Sequence, residues 1–333
     1  MERIKKWKEK IMWKTLAHSA LLSCMFIWLL SASASYAQND FKVTLLGTAS
    51  PAPRADRFGP STLVEAGDQK LLVDAGRGVP IRLRQLNIPL GKINALFITH
   101  YHSDHTSGIP DVWLTGWLPS PYARRTTPFH VIGPVGARAL MSNLEKAYAL
   151  DIKIRVEDEK IPLTGITTLV DEFDRDGIVY EKNGVRVIAF EVDHGPAIKP
   201  AVGYRIEYKG RSVVISGDTR YNQNVIKYGA GADVLIHEVG SARPELMAAS
   251  VPVQRIIAHH TTPREAGMVF SQTKPKMAVY THIVLLSNEK FPEPTLDEVV
   301  AETRQTYNGP LVVGEDLTSF EIGDPVTVRP YKP

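Results

Sequence analysis

The chain has 333 residues, 39 Lys and Arg against 36 Asp and Glu for a net charge of +3, and one cysteine. That length supports one large α/β domain or two small ones, and a single cysteine excludes a disulfide framework or a multi-thiolate metal site. Residues 1–37 hold six Lys/Arg and two Glu, so the rest of the chain is close to −1 and offers no large basic field to a nucleic acid.

In chain order, Arg3, Lys5, Lys6, Lys8, Lys10 and Lys14 precede an apolar run at 16–30 and the small-residue stretch Ser31-Ala32-Ser33-Ala34-Ser35-Tyr36-Ala37. This is the pattern of a secretory signal peptide over 1–37, with cleavage after Ala34 or Ala37. The apolar run is shorter than the roughly 20 residues of a spanning helix, so no stable membrane anchor is expected after cleavage. The expected compartment is the periplasm or the exterior, and the expected catalytic domain is 38–333. Cys24 lies in the removed segment, so any metal site must be built from His and carboxylates. Short apolar strands follow at 41–46, 61–66, 70–74, 95–99, 129–132, 185–190, 203–208, 212–216, 234–237 and 277–281. Helices are expected at 78–87, 136–149, 222–229, 263–272 and 295–307. No linker or repeat interrupts them, which suits two β-sheets packed face to face with helices outside.

The strand at 95–99 runs into His100-Tyr101-His102-Ser103-Asp104-His105. On an extended backbone His100 and His102 point the same way and can grip one ion. Asp104 and His105 come where the chain turns and can face a second. Imidazole and carboxylate suit zinc and similar borderline ions. Further metal-type residues each follow an apolar stretch: Asp193-His194, Gly217-Asp218, His259-His260 and His282. These stretches, 255–258 before His259 among them, are read as strands, whose ends converge on one rim of a sheet and bring distant residues together.

With these motifs in place, the chain resembles the metallo-β-lactamase-fold hydrolases, in the branch that contains ribonuclease Z and a secreted arylsulfatase group. The resemblance spans nearly all of the mature chain. It rests on Thr44 to Pro51, Arg57 to Ser61, Leu72-Val73-Asp74-Ala75-Gly76, Gly133 to Gly136, Ser216-Gly217-Asp218-Thr219 and His260-Thr261-Thr262, besides the His-rich motif. It implies an α/β fold, the four-layer αββα sandwich. It also implies two divalent ions, zinc first with manganese or iron allowed: His100, His102 and His194 on one, Asp104, His105 and His282 on the other, and Asp218 bridging. Asp104 is thereby counted in the catalytic centre. His260 is implied as a catalytic group outside the ligand set, with Glu238 orienting it. Asp74 is read as a brace beneath the metals, His259 as structural.

For the substrate, Trp113, Trp117 and Tyr122 are read as a stacking surface for an aromatic leaving group, and Arg124 or Arg125 as an oxyanion contact. With export and a near-neutral mature charge, they favour an arylsulfatase-like hydrolase of small sulfuric or phosphoric esters. The alternatives are a ribonuclease Z-like phosphodiesterase and a β-lactamase or lactonase. Nucleic acid is disfavoured as a partner, because 151–184, where ribonuclease Z carries a projecting arm, is acidic-leaning (Glu157, Asp158, Glu159, Asp171, Glu172, Asp174, Asp176, Glu181). A small anionic ester is the expected ligand, and a homodimer is allowed by the resemblance.

Overall fold

The computed structural model describes residues 40–332, and the expected signal peptide falls outside them. The first half of the chain lays down β1 (Phe41–Gly47), β2 (Ser61–Ala66), β3 (Gln69–Val73), β4 (Ala95–Phe97), β5 (Phe129–Pro134) and β6 (Thr168–Phe173). The second adds β7 (Gly177–Lys182), β8 (Val185–Glu191), β9 (Val202–Tyr208), β10 (Arg211–Ile215), β11 (Val234–Ala242), β12 (Met277–Leu286) and β13 (Leu311–Val313). A closing hairpin, β14 (Ser319–Glu321) and β15 (Thr327–Arg329), returns to the first sheet. One sheet has the order β15-β14-β1-β2-β3-β4-β5-β6 and the other β13-β12-β11-β10-β9-β8-β7.

Side chains alternate across a strand, and here both faces of each sheet are apolar. Leu71 and Val73 of β3 join Val213 and Ile215 of β10 in the core between the sheets. Leu72, between the first two, faces Val79, Leu83, Val112 and Trp113 on the outer helices of the first sheet. Val214, between the second two, packs with Val225, Val269 and Phe270 outside the second. Three apolar layers thus separate four structural layers, the expected αββα sandwich. The pairs β3–β4 and β4–β5 are parallel, as are β10–β11 and β11–β12. Parallel pairing sends their C-terminal ends to one rim, where ligand-carrying loops can meet.

Several expectations need correction. β11 does not stop at His237, nor β12 at Thr281; they run to Ala242 and Leu286. The apolar residues before His259 form the helix Val251–Ile257, entered through Val251-Pro252 and capped by Ser250, whose hydroxyl accepts from the Val253 amide. The 151–184 span is not a projecting arm. It follows the start of the helix Ala149–Glu157 and then supplies β6 and β7, an outer edge of each sheet.

Candidate metal centre

The first sheet delivers four donors on one short stretch. After β4 the chain is pinned to Asp74, just past β3: Asp74 accepts from the Thr99 amide (2.8 Å), the Thr99 hydroxyl (2.7 Å) and His105 Nδ1 (2.7 Å). Asp74 is therefore the brace expected of it. His102 immediately precedes the short helix Ser103–Thr106, which carries Asp104 and His105. The Ala75 amide donates to the His105 carbonyl at 2.9 Å, and a Cβ on Gly76 would lie 2.6 Å from the Asp104 carbonyl oxygen, so this loop must be glycine to lie so close.

The second sheet delivers the other three. His194 follows β8, and its Nδ1 donates to the His259 carbonyl at 2.7 Å, leaving Nε2 for the site. Asp218 follows β10 through Gly217, whose φ is +62° and whose Cβ, if it had one, would lie 2.4 Å from the Val202 carbonyl oxygen. His282 lies within β12. Thr281 pairs with Glu238 and Ile283 with Val239, so His282 is the extra residue of a bulge, at φ +42°. A bulge re-aims one side chain without ending the strand.

These donors form two groups. His100, His102, His194 and Asp218 each offer an atom within 4.8 Å of the others, and so do Asp104, His105 and His282. His102 Nδ1 lies 3.0 Å from His100 Nε2 and 3.4 Å from His194 Nε2. Nitrogens sharing a tetrahedral ion at metal–ligand distances of about 2.0–2.1 Å sit about 3.3 Å apart, so the first group matches one ion. In the second group His282 Nε2 lies 3.1 Å from Asp104 Oδ2, and His105 Nε2 is buried with no aligned hydrogen-bond partner. Asp218 Oδ2 joins the two, at 3.8, 3.3, 3.7 and 3.2 Å from His100, His105, His194 and His282. A buried anion amid four inward imidazole nitrogens fits divalent cations.

The electrostatics agree. Burial holds His100 well below its ordinary pKa and His194 at about 4, so both are neutral with lone pairs free for a cation. Burial opposes ionisation of Asp218, but His282 and His105 beside it keep its pKa well below the usual carboxylate range. Burial likewise opposes charge on His105, yet Asp218 and Asp74 raise its pKa well above normal, so a proton sits where a cation would.

Glu238 and His260 stand beside this cluster. Glu238 Oε1 accepts from the Thr219 amide at 3.2 Å and the Thr261 amide at 2.9 Å, and Oε2 takes His260 Nδ1 at 3.2 Å. The His260 ring stacks on that of His282 at 5.7 Å. Burial lowers its pKa, but Glu238 outweighs this and holds it at about 9; bound cations nearby would act the other way. The expected orienting contact is present. His259 joins His194 through its carbonyl and stacks on His260 at 5.4 Å.

Most of the expected substrate surface is not there: Arg124 is exposed and Tyr122 half-buried, but the other three residues are in the core. Trp113 and Trp117 lie in the helix Ile109–Trp117, buried in the core, and their indole N–H groups donate to the carbonyls of Ile166 and Pro162. Arg125 is buried over the Phe129 ring and spends its donors on the Gly165, Val112 and Trp113 carbonyls. A buried Trp and an exposed one read alike in sequence. Asp316 was missed altogether. It accepts from the Thr48 amide and hydroxyl and the Phe58 amide and pairs with Arg82 at 2.8 Å, fixing the loop whose Thr48 carbonyl receives the Ile283 amide. No local signal ties it to Thr48, 268 positions away. Arg220, two residues past Asp218, pairs with Asp193 at 2.7 Å and ties two donor loops together. The Asp-Thr-Arg run was the available hint.

Comparison with known proteins fits this geometry. The model of the beta-lactamase superfamily domain matches residues 69–283. A ribonuclease Z of Mycolicibacterium gilvum is 35% identical over 87% of this chain and 99% of its own length. Among solved structures, the metallo-beta-lactamase fold protein YhfI from Bacillus subtilis aligns with a TM-score of 0.65 at 20% identity, covering 84% of this chain and 98% of its own. Human tRNase Z, short form, aligns at 0.63 and 22%, over 85% and 99%. The expectation that nucleic acid is an improbable partner is thereby overturned. It rested on expected export, a near-neutral mature charge and the acidic lean of 151–184, whereas relatives matched over nearly their whole length are named for ribonuclease activity. The chain belongs to the metallo-β-lactamase-fold hydrolases, metal-dependent enzymes acting on ester bonds, in the ribonuclease Z branch.

Proposed function

We propose that this protein is a phosphodiesterase that cleaves RNA, with two divalent ions, zinc by preference, in the seven-donor cluster. The observation that carries the reading is the end-to-end similarity to ribonuclease Z at 35% identity, together with a complete donor set. The arylsulfatase-like reading loses most of its structural support, because Trp113, Trp117 and Arg125, on which it leaned, are core residues, leaving only the half-buried Tyr122 and the exposed Arg124.

His100, His102 and His194 would hold one ion, Asp104, His105 and His282 the other, and Asp218 would bridge them. When bound, the ions supply Lewis-acid charge for the phosphate oxygens and lower the pKa of water toward neutrality. The chain's own residues do the rest. Asp74 fixes the rotamer and tautomer of His105, and the His259 carbonyl does so for His194. Glu238 takes one ring nitrogen of His260 and leaves the other to face the cluster, so a proton can pass from that nitrogen to the departing ester oxygen.

The test is turnover by the metal-loaded protein on bis-p-nitrophenyl phosphate, p-nitrophenyl sulfate and single-stranded RNA. Cleavage of the diester and of RNA is expected, and a preference for the sulfate would reverse the assignment. His260→Ala should keep its metal content by elemental analysis while turnover falls about 10²–10⁴-fold, the range of general acid–base catalysis. An unchanged rate would remove His260 from the chemistry.

A further inference from the structure

The loops that carry the donors also wall a second hollow on the same rim. A cleft of about 480 Å³ opens between the end of β5, the β6–β7 turn and the loop leading into β9; Val135, Phe173, Arg175, Lys199, Pro200 and Val202 line it. It adjoins the metal cluster through covalent neighbours. The Tyr101 hydroxyl, between His100 and His102, donates to the Pro134 carbonyl. The Val202 amide donates to the Thr99 carbonyl at 3.0 Å, and the Val202 carbonyl lies under Gly217, next to Asp218.

The chemistry of the wall is mixed. Val135 is 56% exposed, and Phe173, half-buried, stands edge-on to Tyr204 with ring centres 6.3 Å apart. Lys199 and Glu191 face each other loosely at 4.0 Å, and Arg175 is exposed in the turn. Asp176 is occupied, accepting from the Glu191 amide and the Tyr228 hydroxyl, whereas the exposed Asp174 completes the lining. Carboxylates balance the cations here, which does not suit a run of phosphates. It suits a flat heterocycle: an apolar face to stack on, carboxylates to accept from exocyclic amines, and a cation for one adjoining phosphate. The volume lies in the range of small-ligand pockets, about 300–1,000 Å³.

We propose that this cleft holds the base of an unpaired RNA nucleotide flanking the bond to be cleaved. The proposal rests on the RNA phosphodiesterase reading and extends it from reaction to recognition. Binding of a fluorescent single-stranded RNA to the metal-loaded protein tests it, with turnover of bis-p-nitrophenyl phosphate in parallel. Phe173→Ala and Val135→Glu should each weaken RNA binding about tenfold, in the range of one lost base–aromatic stack, and leave diester turnover unchanged. An abasic oligonucleotide should bind the wild type as weakly as RNA binds the variants. Val135 is a surface residue, so Val135→Glu remains informative if Phe173→Ala does not fold. Wild-type affinity in the variants, no RNA binding by the wild type, or equal loss of binding and turnover would each overturn the proposal. A wild type without diester turnover would instead count against the phosphodiesterase reading itself.

Discussion

Asp218 makes the most contacts in the donor cluster, since one of its oxygens approaches four imidazoles. Asp218→Ala should therefore strip metal from both groups and bring turnover below detection; elemental analysis showing a full complement would contradict the bridge. His105 gives a second expectation. Burial works against its charge, but Asp218 and Asp74 raise its pKa well above 6.5. In the metal-free protein its ion pairs stabilise the fold fully below the unfolded value of about 6.5. That contribution disappears as pH rises through the higher folded value. A metal must displace this proton, so affinity should climb with pH, and calorimetry at neutral pH in buffers of different ionisation heat should show proton release on binding. No release would mean that His105 binds no ion. At this scale the His-x-His-x-Asp-His run was readable because its donors are adjacent in sequence. The Trp113 and Arg125 roles were not, because residue type does not say which way a side chain faces.

Backbone devices aim the side chains. Gly217 at φ +62° turns the chain so that Asp218 enters the cluster, and Val202 blocks the space a methyl would need. Gly217→Ala should cost at least about 1–2 kcal/mol from the left-handed backbone alone and lose metal affinity with it. Calorimetry and elemental analysis would check this, and a variant as stable and as metal-loaded as the wild type would refute it. His282 could be placed from sequence only by resemblance. An apolar run ending at His282 looks like a strand that stops, whereas pairing with β11 continues past it and only the register betrays the bulge. The long parallel strands were legible from their apolar runs. The three-residue strands β13, β14 and β15 were not, because their pairing depends on partners distant in sequence.

At the largest scale, residues 40–332 form two sheets whose apolar layers were predictable from alternation, with the edges β6 and β7 hidden in an acidic span where the resemblance placed an arm in ribonuclease Z. For residues 1–37 we propose export and cleavage. N-terminal sequencing of protein recovered from its cell should begin at Ser35 or Gln38, and an intact Met1 in the mature fraction would refute it. The division of donors between the sheets has a further consequence. His100, His102, Asp104 and His105 belong to the first sheet and His194, Asp218 and His282 to the second. Asp104 and His282 are 178 residues apart along the chain. Ions held there would close a very long loop and staple one sheet to the other at the open rim, as a disulfide would in a chain with cysteines to spare. In a polypeptide whose sole cysteine is Cys24, the proposed ions would double as its cross-link.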